Sequence, residues 1–328
     1  MNVLNLVTNP DAQFFTTQVE SLRRQGVDGD VVAVPGRRRA TEGGADGRSP
    51  LDYLQFYPRV LRRSRGDYDI VHANYGLTAP AALAQPTRPV VLTLWGSDLL
   101  GPAGPLSRAC ARLADAVVVM TEGMAAALGP VDAHVVPHGV DLDLFRPIPQ
   151  AAAREAVGWD EDITQVLFPY AAGRPVKDHP RAVAVVDRAA ERLGEDVRLR
   201  TLSGVPHARM PLYHNAADAL LLTSKREGSP NVVKEALACD RPVVATRVGD
   251  VPERLAGVDN AHVCRTDAEL VDALVAVLDR GARSNGRRHV ASLSVERMAE
   301  RLRSVYDSVL DPRDGADAVE LRATTRAP

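Results

Sequence analysis

Two glutamates eight positions apart flank the start of a predicted helix in the second half of the chain. Glu227 lies just before Ser229-Pro230, and Glu235 follows inside the helix. Serine is a common N-cap and proline suits the first helical position, so we expect the helix to run through Ala238. The free backbone N–H groups at such a start favour an anion. Carboxylates around an anion site suit a ligand with an anionic centre and hydroxyl-bearing ends, which is the shape of a nucleoside diphosphate sugar.

The segment just upstream places this site on a sheet. The run Ala219–Leu222 is short and apolar, which is typical of a strand buried on both faces of a parallel sheet. The helix start is therefore expected at the carboxyl edge of that sheet. The alternative is an ordinary helix whose glutamates are solvated or pair with nearby cations, which are Lys225, Arg226 and Lys234.

A longer ordered pattern surrounds the two glutamates. Glu-Gly-Ser-Pro at 227–230 and Glu235 are followed by Pro-Val-Val-Ala-Thr at 242–246 and by Gly-Asp-Val-Pro-Glu at 249–253. This pattern resembles the donor site of the family 4 retaining glycosyltransferases (glycosyl transferases group 1). The resemblance implies an α/β chain of the GT-B fold, in which two Rossmann-like doubly wound domains face each other across a cleft.

The resemblance also implies roles for individual residues. Glu227 would meet hydroxyls of the donor sugar and act in catalysis, and Glu235 would meet the ribose hydroxyls. The segment between them would bind the donor diphosphate or sugar, through Gly228, Ser229, Pro230, Asn231 and Val232.

A second group of cations precedes another predicted helix in the same domain. Relatives in this family often carry Gly-Arg and a following lysine on the donor diphosphate, and we assign those roles to Arg174 and Lys177 in Gly-Arg-Pro-Val-Lys. The spacing here is shorter than usual. A forked guanidinium and a compact ammonium are suited to stabilising a departing diphosphate. The alternative is a pair of solvated loop cations.

The first half of the chain offers candidates for the acceptor side. Trp95-Gly96-Ser-Asp98 follows a predicted strand where the family commonly has His-Gly, so Trp95 is expected to stack on a sugar ring in place of an imidazole. Gly96 would allow close approach of the backbone, and Asp98 would bind acceptor hydroxyls. His138 replaces an asparagine in a segment that resembles the family's Pro-Asn-Gly-Val-Asp. It is either a substrate contact or part of a tight turn that requires Gly139.

Composition bounds the remaining possibilities. The chain has 328 residues, which is long enough for two α/β domains. Its formal net charge is −2, so it has no overall positive electrostatic potential that would favour binding of nucleic acid. Its three cysteines are far apart and not in metal-ligand spacing, which indicates reduced thiols. The sequence enters a strand directly and has no apolar stretch of membrane-spanning length. We expect a cytoplasmic protein, with contact at the membrane periphery left open.

Alternating strands and helices predict the domain boundaries. We expect an acceptor-side domain over 1–148, a donor domain over 149–295, and a last helix, 296–310, that joins the first domain. Residues 35–50 are expected to form a mobile loop, and residues 311–328 a disordered tail.

A helix that starts at Ser49-Pro50 carries an apolar stripe, Leu51, Leu54, Tyr57 and Leu61, followed by arginines. One interpretation is a surface that touches anionic lipid or a lipid-linked acceptor. We favour the other, in which the stripe packs on the sheet and the arginines suit a helix C-terminus.

Two further details concern the donor domain. Lysine occurs only at Lys177, Lys225 and Lys234, in or beside the motifs above, although the chain has 40 Lys and Arg residues in all. Asp240 follows the motif helix where glycine is usual, and aspartate tolerates the left-handed conformation expected there.

Together these features predict a retaining glycosyltransferase that moves a sugar from a nucleotide diphosphate sugar to a hydroxyl acceptor. The acceptor would be a glycan, a lipid-linked compound or a small molecule. The resemblance implies no obligatory metal and no cofactor beyond the donor. Two alternatives remain open: a nucleotide-sugar epimerase on the same fold, and a catalytically degenerate subunit that binds a partner.

Overall fold

The computed structural model describes residues 1–36, 48–86 and 89–311. It divides into two compact units, of which the second comprises residues 139–295 and the first comprises the described residues on either side. The second unit begins ten residues before the boundary expected at 148/149. The reason is that Val140 and Phe145 are buried in the core of the second unit. Most of the expected loop at 35–50, and residues 312–328 of the expected tail, lie outside the described residues.

The first unit is built on a parallel sheet of six strands in the order β2-β1-β3-β4-β5-β6. Their apolar residues are mostly buried, as expected when helices cover both faces of a sheet. The strand order reverses beside β1, so the loops after β1 and β3 diverge at the carboxyl edge. The strands are β1 (Asn2–Val7), β2 (Asp28–Ala33), β3 (Ile70–Ala73), β4 (Val90–Leu94), β5 (Ala116–Val119) and β6 (His134–Val135).

Helices surround this sheet, and the last helix of the chain belongs to the same unit from Glu296 onward. Its Leu302 and Tyr306 are buried in the core of the first unit. The Tyr306 hydroxyl lies 2.7 Å from Nδ1 of His72, whose Nε2 lies 2.7 Å from the Thr93 hydroxyl. The helices are α1 (Gln13–Arg24), α2 (Pro50–Arg63), α3 (Ala79–Leu83), α4 (Ser97–Leu100), α5 (Gly104–Ala111), α6 (Glu122–Leu128) and, at the end of the chain, α14 (Val295–Leu310).

Helix α2 turns a different face to the core from the one expected. Phe56 and Val60 are buried, whereas Leu51 and Leu54 are 59% and 65% exposed. The expected packing is therefore wrong for Leu51 and Leu54, whereas Tyr57 of the same stripe does pack against the core. Tyr53, Phe56, Tyr57 and Val60 also recur at helical spacing, and the three aromatic side chains among them offer more area to bury than leucines do. The helix does begin as expected, since Ser49 and Asp52 form a reciprocal capping box.

The second unit is built on a parallel sheet of five strands in the order β11-β10-β9-β7-β8. The predicted strand Ala219–Leu222 is confirmed as β9, and all four residues are buried. The order reverses between β7 and β9, so the loops that follow these two neighbours meet at the carboxyl edge. The strands are β7 (Thr164–Phe168), β8 (Val197–Thr201), β9 (Ala219–Leu222), β10 (Val243–Thr246) and β11 (Ala261–Cys264).

Helices cover both faces of the second sheet. Val140 bridges Ser294, and Gly139 passes so close to Val295 that an added Cβ would lie 2.6 Å from its Cα. The helices are α7 (Gln150–Val157), α8 (His179–Leu193), α9 (Met210–Ala216), α10 (Asn231–Ala238), α11 (Val251–Leu255), α12 (Asp267–Arg280) and α13 (Gly286–Val290). The predicted fold class, α/β with two doubly wound parallel sheets, is confirmed. No helix of the described ranges combines the length and the apolarity needed to span a membrane.

Candidate functional site

The candidate donor site lies where two neighbouring strands of the second sheet end. The loop after β7 carries Arg174 and Lys177, and the loop after β9 carries Glu227 and leads into α10. Parallel neighbours end at the same edge, so the two loops that the sequence singled out separately are brought together.

Backbone and hydroxyl contacts fix these loops to each other. The Thr223 hydroxyl lies 3.0 Å from the carbonyl oxygens of both Lys177 and Asp178. The Lys225 amide donates to the Val176 carbonyl at 2.9 Å. Asp178 adopts a left-handed conformation with φ of 55°, which turns the chain from the loop into α8. The cation-bearing loop is thus held in one position by the end of β9.

The central contact of the site is an ion pair between Lys177 and Glu227. Lys177 Nζ donates to Glu227 Oε1, and the Ser224 hydroxyl donates to the same oxygen at 2.6 Å. Both charged side chains are largely buried. Burial lowers the pKa of Lys177, although the Glu227 carboxylate opposes this shift. Among the described residues, Glu227 Oε2 accepts no hydrogen bond, so this oxygen is open to a ligand hydroxyl.

An aromatic ring lies beneath the two cations. Lys177 Nζ lies 3.8 Å, and the Arg174 guanidinium 5.5 Å, from the ring centre of Tyr170. Burial raises the pKa of Tyr170 well above its usual value, and the carboxylates of Glu227 and Glu235 add to this shift. The ring face therefore offers both cations an attractive surface. Arg174 itself is exposed and has no ion-pair partner within the described part of the chain.

At the start of α10, the backbone at Gly228 packs tightly against the loop that contains Gly249 and Asp250. The Asp250 amide donates to the Gly228 carbonyl at 3.1 Å. Gly249 has φ of +52°, and a Cβ there would lie 2.1 Å from the Gly228 oxygen. Ser229 does not cap the helix, contrary to our expectation, because its hydroxyl donates to Asp250 at 2.8 Å. Pro230 occupies the N-cap position, and the helix begins at Asn231.

The first amides of α10 and the Asn231 side chain remain available to a ligand at this helix start. Among the described residues, no side chain caps the first amides of α10. Asn231 Oδ1 is buried and has no hydrogen-bond partner among the described residues. Lys234 is fully buried behind it, with Nζ 3.4 Å from the Ser229 hydroxyl. Burial lowers the pKa of Lys234 to about 8, so the ammonium is still mostly charged at neutral pH. The helix start can therefore hold a ligand with anionic and hydroxyl groups.

Glu235 lies further along α10 between two histidines. Its Oε1 lies 3.1 Å from His207 Nε2, and its Oε2 lies 3.5 Å from His214 Nε2. Burial alone would raise the pKa of Glu235, but the two imidazoles lower it to about 2. His207 packs on Phe145 with 5.1 Å between ring centres. Glu235 is thus an ionised acceptor that His207 partly covers.

The acceptor-side candidates lie at the carboxyl edge of the first sheet. Trp95 is half-buried, with its ring centre 4.4 Å from that of Phe14 and 5.9 Å from that of His138. The Trp95 indole N–H donates to the Asn74 carbonyl at 2.9 Å, which fixes the plane of the ring. His138 is buried, with Nε2 3.0 Å from the Phe14 carbonyl.

Asp98 occupies a different place from the one expected. Its side chain is fully buried and accepts from the backbone amides of Gly76, Trp95 and Gly96 at 2.9 to 3.0 Å. A carboxylate held in this way has no free oxygen to offer an acceptor hydroxyl. Its contribution is to hold the loop that carries Trp95, with Gly96 at φ of 119°.

Several residues of the site were not identified from the sequence. Ser224, Thr223 and Tyr170 each contact Lys177 or Glu227, and Phe14 and His207 line the two candidate sites. A threonine and a serine at a strand end next to a motif glutamate are a weak signal that could have been used. Within the described ranges, no group of three His, Cys, Asp or Glu side chains has an arrangement that could hold a metal ion.

Two family models match the chain, one largely within each unit. Residues 12–144 match the model described as Glycosyltransferase Family 4, and residues 171–280 match the model described as Glycosyl transferases group 1. The second match contains Arg174, Lys177, Glu227 and Glu235.

Relatives with curated descriptions span most of the chain. The D-inositol 3-phosphate glycosyltransferase 1 of Catenulispora acidiphila is 27% identical over 322 residues, which covers 77% of each chain. The D-inositol 3-phosphate glycosyltransferase of Mycobacterium tuberculosis (strain ATCC 25177 / H37Ra) is 28% identical over 316 residues, covering 78% of this chain and 66% of the relative.

Solved structures share the fold at low sequence identity. Sucrose-phosphate synthase from Thermosynechococcus elongatus superposes with a TM-score of 0.75 at 17% identity and covers 94% of this chain and 99% of its own. Anabaena HepE in complex with UDP superposes with a TM-score of 0.69 at 16% identity and covers 94% and 100%.

Proposed function

Because the chain belongs to the family 4 (group 1) glycosyltransferases, we propose that it transfers a sugar, with retention of configuration, from a nucleoside diphosphate sugar to a hydroxyl acceptor. The observation that carries this proposal is the buried Lys177–Glu227 pair beside the uncapped start of α10. The pair supports the proposal because an ammonium suits a diphosphate and a carboxylate suits sugar hydroxyls, and the two groups are in contact.

The donor binds the second unit by complementary charge. Arg174, Lys177 and the first amides of α10 receive the diphosphate, because all three supply N–H donors and positive potential. Lys177 uses one N–H for Glu227 and keeps two for the phosphate oxygens. Glu227 Oε2 accepts a sugar hydroxyl, and Glu235 accepts the ribose hydroxyls once His207 moves aside.

The chemical step exchanges one bond for another at the anomeric carbon. The bond from this carbon to the diphosphate oxygen breaks, and negative charge grows on the diphosphate where Arg174 and Lys177 stabilise it. The acceptor oxygen attacks from the face that the leaving group vacates and loses its proton to a diphosphate oxygen. No protein nucleophile is required. We assign stabilisation of the negative charge on the diphosphate to Arg174, Lys177 and the start of α10.

The first test is calorimetric titration of wild-type protein with UDP, GDP and ADP, repeated on Lys177→Ala. UDP is a reasonable first choice because HepE was crystallised with it. We expect one nucleotide to bind and the substitution to weaken it at least tenfold, since it removes a charge-assisted contact. Absence of binding to all three by folded protein would favour a degenerate subunit.

Turnover is tested with the sugar nucleotide of the base so identified. D-inositol 3-phosphate is the first acceptor to assay, since the curated relatives are named for it. Glu227→Ala should reduce kcat about 100-fold or more while the unfolding transition persists. The anomeric coupling constant of the product, read by proton NMR, checks retention. A product of inverted configuration would refute that part of the proposal.

The exposed face of α2 supports the proposal that the protein contacts an anionic membrane surface and acts on an acceptor held there. Leu51 and Leu54 project from its first half, and Arg59, Arg62 and Arg65 are exposed near its end. Leucines that insert among acyl chains and arginines that meet lipid phosphates would act together. Wild-type protein should co-sediment with vesicles containing anionic lipid, and Leu51→Ser/Leu54→Ser should not. Leu113→Ser removes a leucine that is 71% exposed and lies outside this helix, and it is the control.

A further inference from the structure

A cavity of about 340 Å³ lies at the amino edge of the second sheet, opposite the edge that carries the donor loops. Thr164 at the start of β7, Asp218 just before β9 and Arg241 just before β10 line it. Ala282 and Arg283, in the loop after α12, lie at its exposed rim. Neither the chemistry proposed above nor the sequence motifs involve this cavity.

Arg241 is the unusual group in the cavity. It is 3% exposed, and its Nη1 donates to the Ala217 carbonyl at 2.9 Å. Its Nε and Nη2 are buried without a hydrogen-bond partner among the described residues. Burial lowers the pKa of Arg241 to about 10, so the group remains charged at neutral pH. An unpaired buried charge is costly unless a partner completes it.

The surrounding side chains do not supply that partner. Asp218 is the carboxylate of the cavity, but its Oδ2 accepts from Arg154 at 2.7 Å and from the Gln165 amide at 2.6 Å. Its Oδ1 accepts from the Gln150 amide group at 2.8 Å.

Arg283 adds further positive charge at the rim of the cavity. Its own donors go to backbone carbonyls, of Ile148 at 2.6 Å and of Cys239 at 3.5 Å. Arg241 and Arg283 both line the cavity, whereas the carboxylate that lines it, Asp218, pairs with Arg154, so the cavity keeps a positive excess.

We propose that this cavity is a second ligand site of the chain and binds a small oxyanion, a phosphate or carboxylate group, on Arg241. Nε and Nη2 lie on one edge of the guanidinium and form the fork that pairs with two oxygens of such a group. The volume is at the lower end of the range for small-molecule sites and accommodates an anion carried by a molecule of about monosaccharide size.

The test is titration with inorganic phosphate at constant ionic strength, followed by calorimetry and by phosphorus NMR line broadening. It compares the wild type with Arg241→Gln and Lys177→Ala, because phosphate can also enter the proposed donor site. We expect Arg241→Gln to weaken binding at least tenfold and Lys177→Ala to leave a binding event intact. Wild-type protein that binds no anion, or binding that is lost in Lys177→Ala alone, would overturn the proposal.

A second pair of variants covers the case in which Arg241→Gln does not fold. Ala282 is exposed and lines the same cavity as Arg241, so Ala282→Glu adds a tethered carboxylate that competes with phosphate there, and Ala282→Gln adds the same bulk without charge. Phosphate should fail to bind Ala282→Glu and still bind Ala282→Gln. Equal binding to both variants would contradict the proposal. The titration is repeated with acetate, and the anion whose binding depends on Arg241 identifies the head group of the ligand.

Discussion

The Thr223 hydroxyl lies 3.0 Å from the backbone carbonyl of Lys177, so the strand that leads to Glu227 also fixes the loop that supplies its cation. Thr223 is fully buried, and its hydroxyl reaches the Asp178 carbonyl at the same distance. The two halves of the proposed donor site are thus held together by a side chain that does not itself face the ligand.

Thr223→Val keeps the shape of this side chain and removes its hydroxyl. We expect the free energy of unfolding to fall by about 1–3 kcal/mol, because two buried carbonyls lose a donor. Nucleotide affinity should fall about tenfold as the Lys177 loop loosens. Thr223→Ser retains the hydroxyl and should restore nucleotide affinity in calorimetry. Equal affinities for the valine and serine variants would show that the hydroxyl does not position the loop.

Gly249→Ala tests the close passage of the loop at 249 over Gly228. The substitution combines a left-handed φ with a contact of 2.1 Å to the Gly228 oxygen. Gly194→Ala is the matched control, since φ is +69° and nothing lies within 4 Å of its added Cβ. The control should lose about 1–2 kcal/mol of unfolding free energy from strain alone. Gly249→Ala should lose more in urea denaturation and also bind nucleotide more weakly. Equal losses would show that the loop can shift freely.

Glu235 is predicted to accept hydrogen bonds from the ribose hydroxyls of the donor nucleotide. Wild-type protein should bind the 2′,3′-dideoxy analogue of its nucleotide roughly 100-fold more weakly, because two hydrogen bonds to a carboxylate are lost. In Glu235→Ala the two nucleotides should bind about equally. A thermodynamic cycle from four calorimetric titrations measures the coupling. If the preference for ribose survives in Glu235→Ala, another residue recognises the sugar.

His72 predicts a loss of stability in mild acid. Burial lowers the pKa of His72 to about 3, whereas in an unfolded chain the imidazole takes up its proton near the ordinary histidine pKa of 6.5. Above about pH 6.5, His72 is neutral in both states and its titration does not affect stability. As the pH falls towards 3, only the unfolded state binds the proton, so the free energy of unfolding declines. The unfolding free energy should fall by up to about 1.4 kcal/mol per pH unit from this residue. His72→Gln should show a shallower slope between pH 7 and 5 in urea titrations; an unchanged slope would exclude His72 as the cause.

Local sequence patterns were sufficient where one residue or one short run decides the conformation. The apolar run Ala219–Leu222 forms a strand as predicted, and Asp240 adopts the expected left-handed conformation with φ of 52°. The strand and the left-handed turn are both determined by residues that are close together in the sequence. The resemblance brought Arg174, Lys177 and Glu227 into one proposed site, and the structure places their loops on adjacent strands.

Hydrogen bonds between residues that are far apart in the sequence could not be predicted from local patterns. Ser229 gives its hydroxyl to Asp250, 21 positions away, and Asp98 accepts from Gly76, 22 positions away. A helical period also left two candidate faces on α2, and only the packing of Phe56 and Val60 decides between them. These outcomes depend on tertiary contacts that no local rule contains.

The sparing use of lysine has a practical consequence. Lys177 and Lys234 are buried, whereas the Lys225 side chain is 61% exposed and sits three residues after the end of β9. An amine-reactive dye should therefore modify Lys225 and spare the other two lysine side chains. The chain thus carries a natural attachment point for a fluorophore next to the proposed donor loop, where the arrival of a nucleotide can be followed without introducing a new residue.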